Sequence, residues 1–453
     1  MTKLTFFSGV NEIGGNKILL EDRDTRIFLD FGQSFSFGCD YFGGYLNPRR
    51  VNGVGDYLEF DLVPSLKGLY SREALKNTDL KYCRPKFDAV ILSHAHVDHI
   101  GHLHFLHPGI TVHCGEATKT IMDAMAETGG YYPGEHPWKT FRTGDRLKIG
   151  CLTVEPIHVD HSIPAAYGFI IYTSEGAIVY SGDMRLHGPM SKMTKEFIER
   201  AAEAEPVAMI SEGTRVTPKE KRVNHTEKEV RRRSKQITAS TSKLVIATYY
   251  GRDIDRFNTF HQIAKTTDRK FVISLKSAYL LNKLKNDPKL RIPNVLRDRN
   301  IFFYKKRKRS GLYEARDYYQ WERPFLDKAV TYDYVKRNQS KMLLNLDQPS
   351  FTELIDIRPD AGGHFIHSMS EPFTEEDIDA EIMHNWLRHF KLKFHQIHAS
   401  GHCPAGDLKK AINTINPKSL FPVHTEHPEL FSKIKNKKIR LITPKRKKTY
   451  RVK

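Results

Sequence analysis

The sequence predicts an α/β protein in which a β-rich unit is interrupted by an α/β insertion. Three observations predict it. Short apolar runs separated by glycines fill the first part of the chain, a strand–helix–strand alternation fills the middle, and histidines cluster before and after that middle. The expected division is 1–213, then an inserted unit over 214–362, then a return over 363–453.

LTFFSG, NEIGGNKILLE and TRIFLDFG are rich in Phe, Ile and Leu with glycine between them, and each reads as a strand. Residues 38–82 break the pattern with Gly, Pro, Tyr and charges and read as a surface excursion. FDAVILSHAHVDHIGHLHFL is a buried strand running into a histidine-rich loop, and LTVEPIHV, YGFIIYT and GAIVYSGD add further strands. From about residue 214 the character changes. TPKEKRVNHTEKEVRRRSKQI is strongly charged and reads as helix, KLVIATYYGRD as a strand ending in a glycine turn, DIDRFNTFHQIAK as helix and KFVISL as strand. Gly362 and Gly363 mark the expected return, after which FHQIHASGHC and LFPVHTEHPELF flank a helix-like DLKKAINTI.

With 453 residues, 39% of them hydrophobic, the chain can bury sizeable cores. No apolar run is long enough to span a membrane, and MTKLTFFSGV does not read as a secretory signal. The cysteines (Cys39, Cys83, Cys114, Cys151, Cys403) are scattered without CxxC spacing. That argues for a reducing cytoplasm and against a disulfide framework or a thiolate zinc site. Lys and Arg number 72 against 53 Asp and Glu, a net charge of +19 that favours a polyanionic partner. Two cationic runs stand out: Lys305 to Arg309 in FFYKKRKRS, and the tail from Lys433, which has no acidic residue. Each reads alone as solvated surface or as a phosphate contact. Tyr249, Tyr250, Phe302, Phe303 and Tyr304 are either base-stacking candidates or core and rim residues.

The sharpest motif is HAHVDH. His94, His96, Asp98 and His99 follow an apolar strand, and imidazole with carboxylate suits zinc. One short run cannot complete two metal sites, so other ligands must come from distant strand ends. His161 in VDHS and Asp183 in VYSGD fit that need, with Asp183 the natural bridge because a carboxylate has one oxygen for each ion. Glu212 in MISEGT, His398, Ser400 and His402 in HASGHC, and His424 in FPVHTE are further polar groups in or beside apolar strands.

HAHVDHIGH resembles the signature of the metallo-β-lactamase superfamily, whose fold is a four-layer αββα sandwich. The resemblance implies His94, His96 and His161 on one zinc, Asp98 and His99 on the other, and Asp183 on both. It favours His161 over the nearby His158 as the third-motif ligand. It also implies that Asp30 in FLDFG orients the ligand loop without touching metal. His102, His104 and His107 read as supporting or surface residues. Glu212, His402 and His424 match three further motifs of the β-CASP group, nucleases with an α/β domain inserted into that sandwich. A histidine at the third of these, here His424, is the pattern of RNA-processing members and completes the second zinc. The order NEIGG, HAHVDHIGH, VDHS, SGD, SEGT, HASGH, PVHTE is similar to the ribonuclease J family over nearly the whole chain, in its compact archaeal type. ATYYGRDIDRF departs from the Ser-Asn pair that bacterial members carry before a similar helix.

The function these features imply is a zinc-dependent ribonuclease with two Zn2+ per chain and room for Mn2+ or Mg2+ to assist. Asp98 and Asp183 are candidates to accept a proton, and His402 backed by Glu212 to protonate the leaving oxygen. His398 and Ser400 match family positions that hold a 5′-monophosphate. Ser368, Ser370 and Arg252 are candidate additional phosphate donors. Such a pocket makes the enzyme a 5′→3′ exoribonuclease on single-stranded RNA. The alternatives are an RNA endonuclease of the cleavage-and-polyadenylation type and a small-molecule metallohydrolase. No membrane partner is expected, and a homodimer is left open.

Overall fold

The computed structural model describes residues 1–35, 41–42, 45–220, 222–371 and 378–453, so Cys39 lies outside the described residues. Two seven-stranded mixed sheets form a sandwich. Across the first sheet the strands run Thr449–Val452, Thr2–Ser8, Lys17–Asp22, Thr25–Leu29, Ala89–Ile91, Thr111–Gly115 and Trp138–Phe141. Across the second they run Arg440–Leu441, Ser419–Pro422, Ala208–Ser211, Gly176–Tyr180, Tyr167–Thr173, Leu152–His158 and Leu147–Ile149. Apolar side chains of both inner faces meet between them. Phe6 of the first sheet stacks on Phe421 of the second at 5.5 Å, and Phe141 meets Phe169 edge-on at 5.8 Å.

Helices Ser191–Glu203 and Ala405–Ile415 cover the outer face of the second sheet through Phe197, Ile198, Leu408 and Ile412, all buried. Glu116–Glu127 packs beside the strands Thr111–Gly115 and Trp138–Phe141 of the first. The architecture is an αββα sandwich, as the sequence predicts.

A third sheet is wholly parallel, in the order Ala329–Val330, Ile301–Tyr304, Lys270–Ser274, Met342–Asn345, Val245–Thr248, His364–His367 and Lys393–Gln396. Strands buried on both faces, such as VIAT and the core of KFVIS, need helices on either side, which Glu227–Ala239, Ile254–Thr266 and Leu275–Leu284 help supply. The expected return at 362 falls inside this sheet. His364–His367 pairs with Val245–Thr248, and Lys393–Gln396 pairs with His364–His367, so the chain leaves the third sheet only after Gln396. Among the described residues the charged stretch from 217 is helical only over Glu227–Ala239, where Thr226 and Glu229 form a reciprocal cap. The basic tail is not a free arm. Arg440–Leu441 adds an edge strand to the second sheet and Thr449–Val452 adds one to the first.

Candidate metal centre and cleft

The ligand candidates sit where strands of both sandwich sheets end. Ala89–Ile91 runs out into Ser93, His94 and His96, and a short helix, Val97–Ile100, carries Asp98 and His99. His161 follows Leu152–His158, Asp183 follows Gly176–Tyr180, Glu212 follows Ala208–Ser211, and His424 follows Ser419–Pro422. The close approach of these turns explains two glycines. A Cβ on Gly32 would lie 1.6 Å from the Asp98 carbonyl oxygen, and one on Gly14, at φ +79°, would lie 2.6 Å from the Asp98 Cβ.

Three groups of ligand atoms result. His94, His96, His161 and Asp183 converge, as do Asp98, His99, Asp183 and His424, and a third group joins Asp183, Glu212 and His402. In the first, His96 Nδ1 lies 2.9 Å from His94 Nε2 and 3.1 Å from His161 Nε2. In the second, His424 Nε2 lies 3.0 Å from Asp98 Oδ2 and His99 Nε2 lies 3.1 Å from Asp183 Oδ2. Asp183 Oδ2 is also 3.6 Å from both His94 and His424, so it stands between the two groups.

Burial holds His94 and His96 well below the usual imidazole range and His161 at about 3, which keeps their lone pairs available near neutral pH. Burial pushes Asp98 upward, but His99 and His424 outweigh it and hold the carboxyl at about 2. Burial lowers His424, but Asp183 and Asp98 more than offset it and raise the ring to about 9. Asp98 Oδ1 and Asp183 Oδ1 are buried with no hydrogen-bond partner among the described residues. Neutral imidazoles in the first group, and imidazoles drawn to buried carboxylates with partnerless oxygens in the second, are a donor set that fits divalent cations.

Asp30 holds this arrangement without joining it. Its Oδ1 accepts from the Ser93 N–H at 2.7 Å, and its Oδ2 meets His99 Nδ1 at 2.7 Å and the Tyr180 hydroxyl at 2.6 Å. That fixes which His99 nitrogen faces Asp183. Around the third group, Glu212 Oε2 lies 3.2 Å from His402 Nδ1. The Thr214 hydroxyl lies 2.9 Å from Glu212 Oε2 and 2.8 Å from His424 Nδ1.

The candidate phosphate residues divide. Ser368 is 1% exposed, donates to the Ile397 carbonyl at 2.6 Å and receives Arg256, so its hydroxyl is committed to the joint between the units. His398 Nδ1 is held at 3.1 Å from the Ser368 carbonyl and 3.3 Å from Arg256. Ser370 Oγ is 3.5 Å from His398 Nε2, and Ser400 Oγ accepts from the His402 N–H at 3.2 Å. Arg252 lies over the Tyr250 ring at 4.6 Å, and that ring is 5.3 Å from His96. Arg252 has no carboxylate partner among the described residues, and burial lowers it only to about 10, so it stays cationic.

Of the rejected or secondary histidines, His158 stacks on Tyr167, His102 packs against Tyr57, and His107 meets the Tyr82 hydroxyl at 2.8 Å. Of the five aromatic candidates Tyr249, Phe303 and Tyr304 are buried, Phe302 is half-buried on its strand, and Tyr250 lies beside His96. The sequence reading missed Thr214, Tyr180, Arg256 and Lys17. Arg256, fully buried, pairs with Glu227 at 3.0 Å and fastens Ser368 and the Ala399 carbonyl. Thr214 was visible in SEGT but had no reason to be chosen before its three partners were in place.

The Beta-lactamase superfamily domain matches residues 60–243, and the Zn-dependent metallo-hydrolase RNA specificity domain matches residues 389–442. Ribonuclease J of Sinorhizobium meliloti is 24% identical over 367 residues, covering 77% of this chain and 59% of that protein. Ribonuclease J of Mycoplasma genitalium is 23% identical over 446 residues, covering 96% and 69%, and that of Thermus thermophilus 24% identical over 437 residues, covering 92% and 67%. The chain thus spans between 59% and 69% of the length of these curated relatives. A solved protein of unknown function from Enterococcus faecalis V583 shares the fold, with a TM-score of 0.77 at 24% identity over 99% of both chains. A metal-ligand set gathered from strand ends on both sides of an inserted parallel sheet agrees with these matches, and together they support a ribonuclease J of the β-CASP metallo-β-lactamase kind.

Proposed function

We propose that this chain is a zinc-dependent ribonuclease that hydrolyses single-stranded RNA from a 5′-monophosphate end, releasing nucleotides in the 5′→3′ direction. The observation that carries it is the meeting of two chemistries on adjoining loops, where His161 Nδ1 lies 2.6 Å from the Gly401 carbonyl of the loop that holds His398, Ser400 and His402. A cation-ready histidine–carboxylate centre stands beside Arg252, Ser370, His398 and Ser400, contributed by or adjoining the inserted sheet. The RNA-specificity match over 389–442 contains His398, Ser400, His402 and His424, and the named relatives are ribonucleases.

Two zinc ions, one in each four-residue group with Asp183 shared, would supply an activated water and neutralise charge on the phosphate oxygens. Asp98 or Asp183 accepts the proton that the attacking water loses. His402, its Nδ1 turned to Glu212, has Nε2 left to protonate the departing 3′ oxygen as the P–O3′ bond breaks. The products are a 5′-mononucleotide and an RNA with a new 5′-phosphate. Arg252 steadies a phosphate oxygen near His96 through charge-assisted hydrogen bonds. Ser370, His398 and Ser400 receive the terminal phosphate, while Ser368 holds their loop in place.

Among the described residues no helix is long and apolar enough to cross a membrane, and Cys83, Cys114, Cys151 and Cys403 are free thiols, which supports a cytoplasmic setting. The test of the function is one RNA carrying a 5′-monophosphate, triphosphate or hydroxyl, labelled at either end. Mononucleotides released from the 5′ end, fastest with monophosphate, are expected. Internal cuts indifferent to the 5′ group would replace the exonuclease with an endonuclease.

A further inference from the structure

All strands of the inserted sheet are parallel, so their carboxyl ends share one edge, the edge at which α/β sheets bind ligands. Tyr250 and Arg252 leave it after Val245–Thr248, Ser368 and Ser370 after His364–His367, and His398 after Lys393–Gln396. The cationic run Lys305 to Arg309 leaves the same edge after Ile301–Tyr304. That strand is three positions from Val245–Thr248 in the sheet. The lateral offset is therefore three strand spacings, roughly 14 Å.

Within this run the cations are not equivalent. Lys306 is bound to Ser350 at 2.6 Å, Arg307 is paired with Asp356, and Lys308 with Glu322 at 2.7 Å. Lys305 and Arg309 have no carboxylate partner among the described residues. Lys305 lies 5.7 Å from the Tyr313 ring and Arg309 5.6 Å from the Tyr319 ring. Tyr319 is 56% exposed, with Lys308 on it at 5.0 Å as well. Residues 289–316 hold ten Lys and Arg against two acidic residues, and the nearby Asp356 and Glu322 are taken up by Arg307 and Lys308.

We propose that Lys305, Arg309 and Tyr319 form a second contact site for single-stranded RNA on the carboxyl edge of the inserted sheet, remote from the metal centre. Lys305 and Arg309 meet phosphates, and the exposed Tyr319 ring stacks a base. The site rests on the ribonuclease reading and extends it: a long RNA is held at two places, a short one only at the centre. Effective concentration then favours long substrates with no change at the metals.

The test uses zinc-loaded protein and fluorescent phosphorothioate oligouridylates of about twenty and about four nucleotides, with affinity read by anisotropy over a salt series. The variant Lys305→Ala/Arg309→Ala/Tyr319→Ala should bind the longer RNA about tenfold more weakly, with a salt slope shallower by about 1.4 for two lost phosphate contacts, and the shorter RNA with little change. Lys305→Gln/Arg309→Gln, which keeps the ring, should show the shallower slope with a smaller loss. Lys409→Ala/Lys410→Ala, on an exposed face of Ala405–Ile415, removes the same charge elsewhere and should leave both affinities alone. Unchanged binding of the longer RNA, an equal loss on the shorter one, or an equal loss from the Lys409/Lys410 pair overturns the site. Failure of the wild-type protein to cleave ordinary RNA would instead overturn the ribonuclease reading, while the binding comparison would still decide the site.

Discussion

Asp30 shows how a residue can govern a metal centre without touching it. Its backbone sits at φ +57°, in the left-handed region that few non-glycine residues occupy, and this directs its carboxylate at Ser93, His99 and Tyr180 together. Asparagine tolerates the same backbone and has nearly the same shape, so Asp30→Asn isolates the charge. The substitution leaves a weaker acceptor for His99 Nδ1 and frees that ring to turn. We expect a 10- to 100-fold loss in metal affinity or turnover, about what outer partners of metal ligands contribute elsewhere, with near-native circular dichroism. Zinc titration by competing chelator checks it, and wild-type affinity would remove Asp30 from the centre. At this scale the sequence was most legible where chemistry is dense. HAHVDH is readable because four candidate ligands lie within six residues, whereas Tyr180 and Thr214 reach the centre through Asp30 and His424, 150 and 210 residues away.

Among elements, the first hairpin carries an unusual burden. Lys17 opens the strand Lys17–Asp22, is 1% exposed, and its amine reaches the Gly32 carbonyl and, at 3.3 Å, the Ser8 hydroxyl, tying both loops that pack against Asp98. Burial lowers its pKa to about 7 from an ordinary 10.5. Between those values the unfolded chain holds a proton that the folded chain lacks. Unfolding therefore takes up a proton, and wild-type stability should rise with pH by up to about 1.4 kcal/mol per unit, levelling off above the unfolded pKa. Lys17→Met removes the group. The stability difference between wild type and variant, from urea melts across that window, should carry the slope; a pH-independent difference would mean that the amine is not held neutral. Sheet membership was less legible than such patterns. Gly362 and Gly363 read as a return because they end a run of irregular chain, but HFIH and KFHQ are four-residue strands whose allegiance is fixed only by their partners. The basic tail hid its own strands for the same reason, since Arg440–Leu441 and Thr449–Val452 are short and are fixed only by pairing with Ser419–Pro422 and Thr2–Ser8.

For the whole molecule, the centre works as a fastening between distant parts of the chain. His424 reaches Asp98 across 326 residues, the His161 Nδ1 lies 2.6 Å from the Gly401 carbonyl, and the whole inserted sheet lies between the first ligands and the last in sequence. A bound cation favours the folded state by mass action, and here it also joins the two sheets of the sandwich at the end where the insertion leaves. Without it, buried carboxylates and imidazoles confront one another with Asp98 Oδ1 and Asp183 Oδ1 unsatisfied. Chelation should therefore lower the melting temperature by several degrees, on the order of the 3 kcal/mol that a ligand at 100 times its Kd contributes, and readdition of zinc should restore it. Hydrogen exchange should localise the change: amides of 93–101, 181–184 and 398–425 lose protection, while the far strands Ile301–Tyr304 and Lys270–Ser274 of the inserted sheet hold theirs. A uniform loss would mean that the metals stabilise the molecule only globally, and no loss would mean that the two sheets hold this end of the sandwich together unaided.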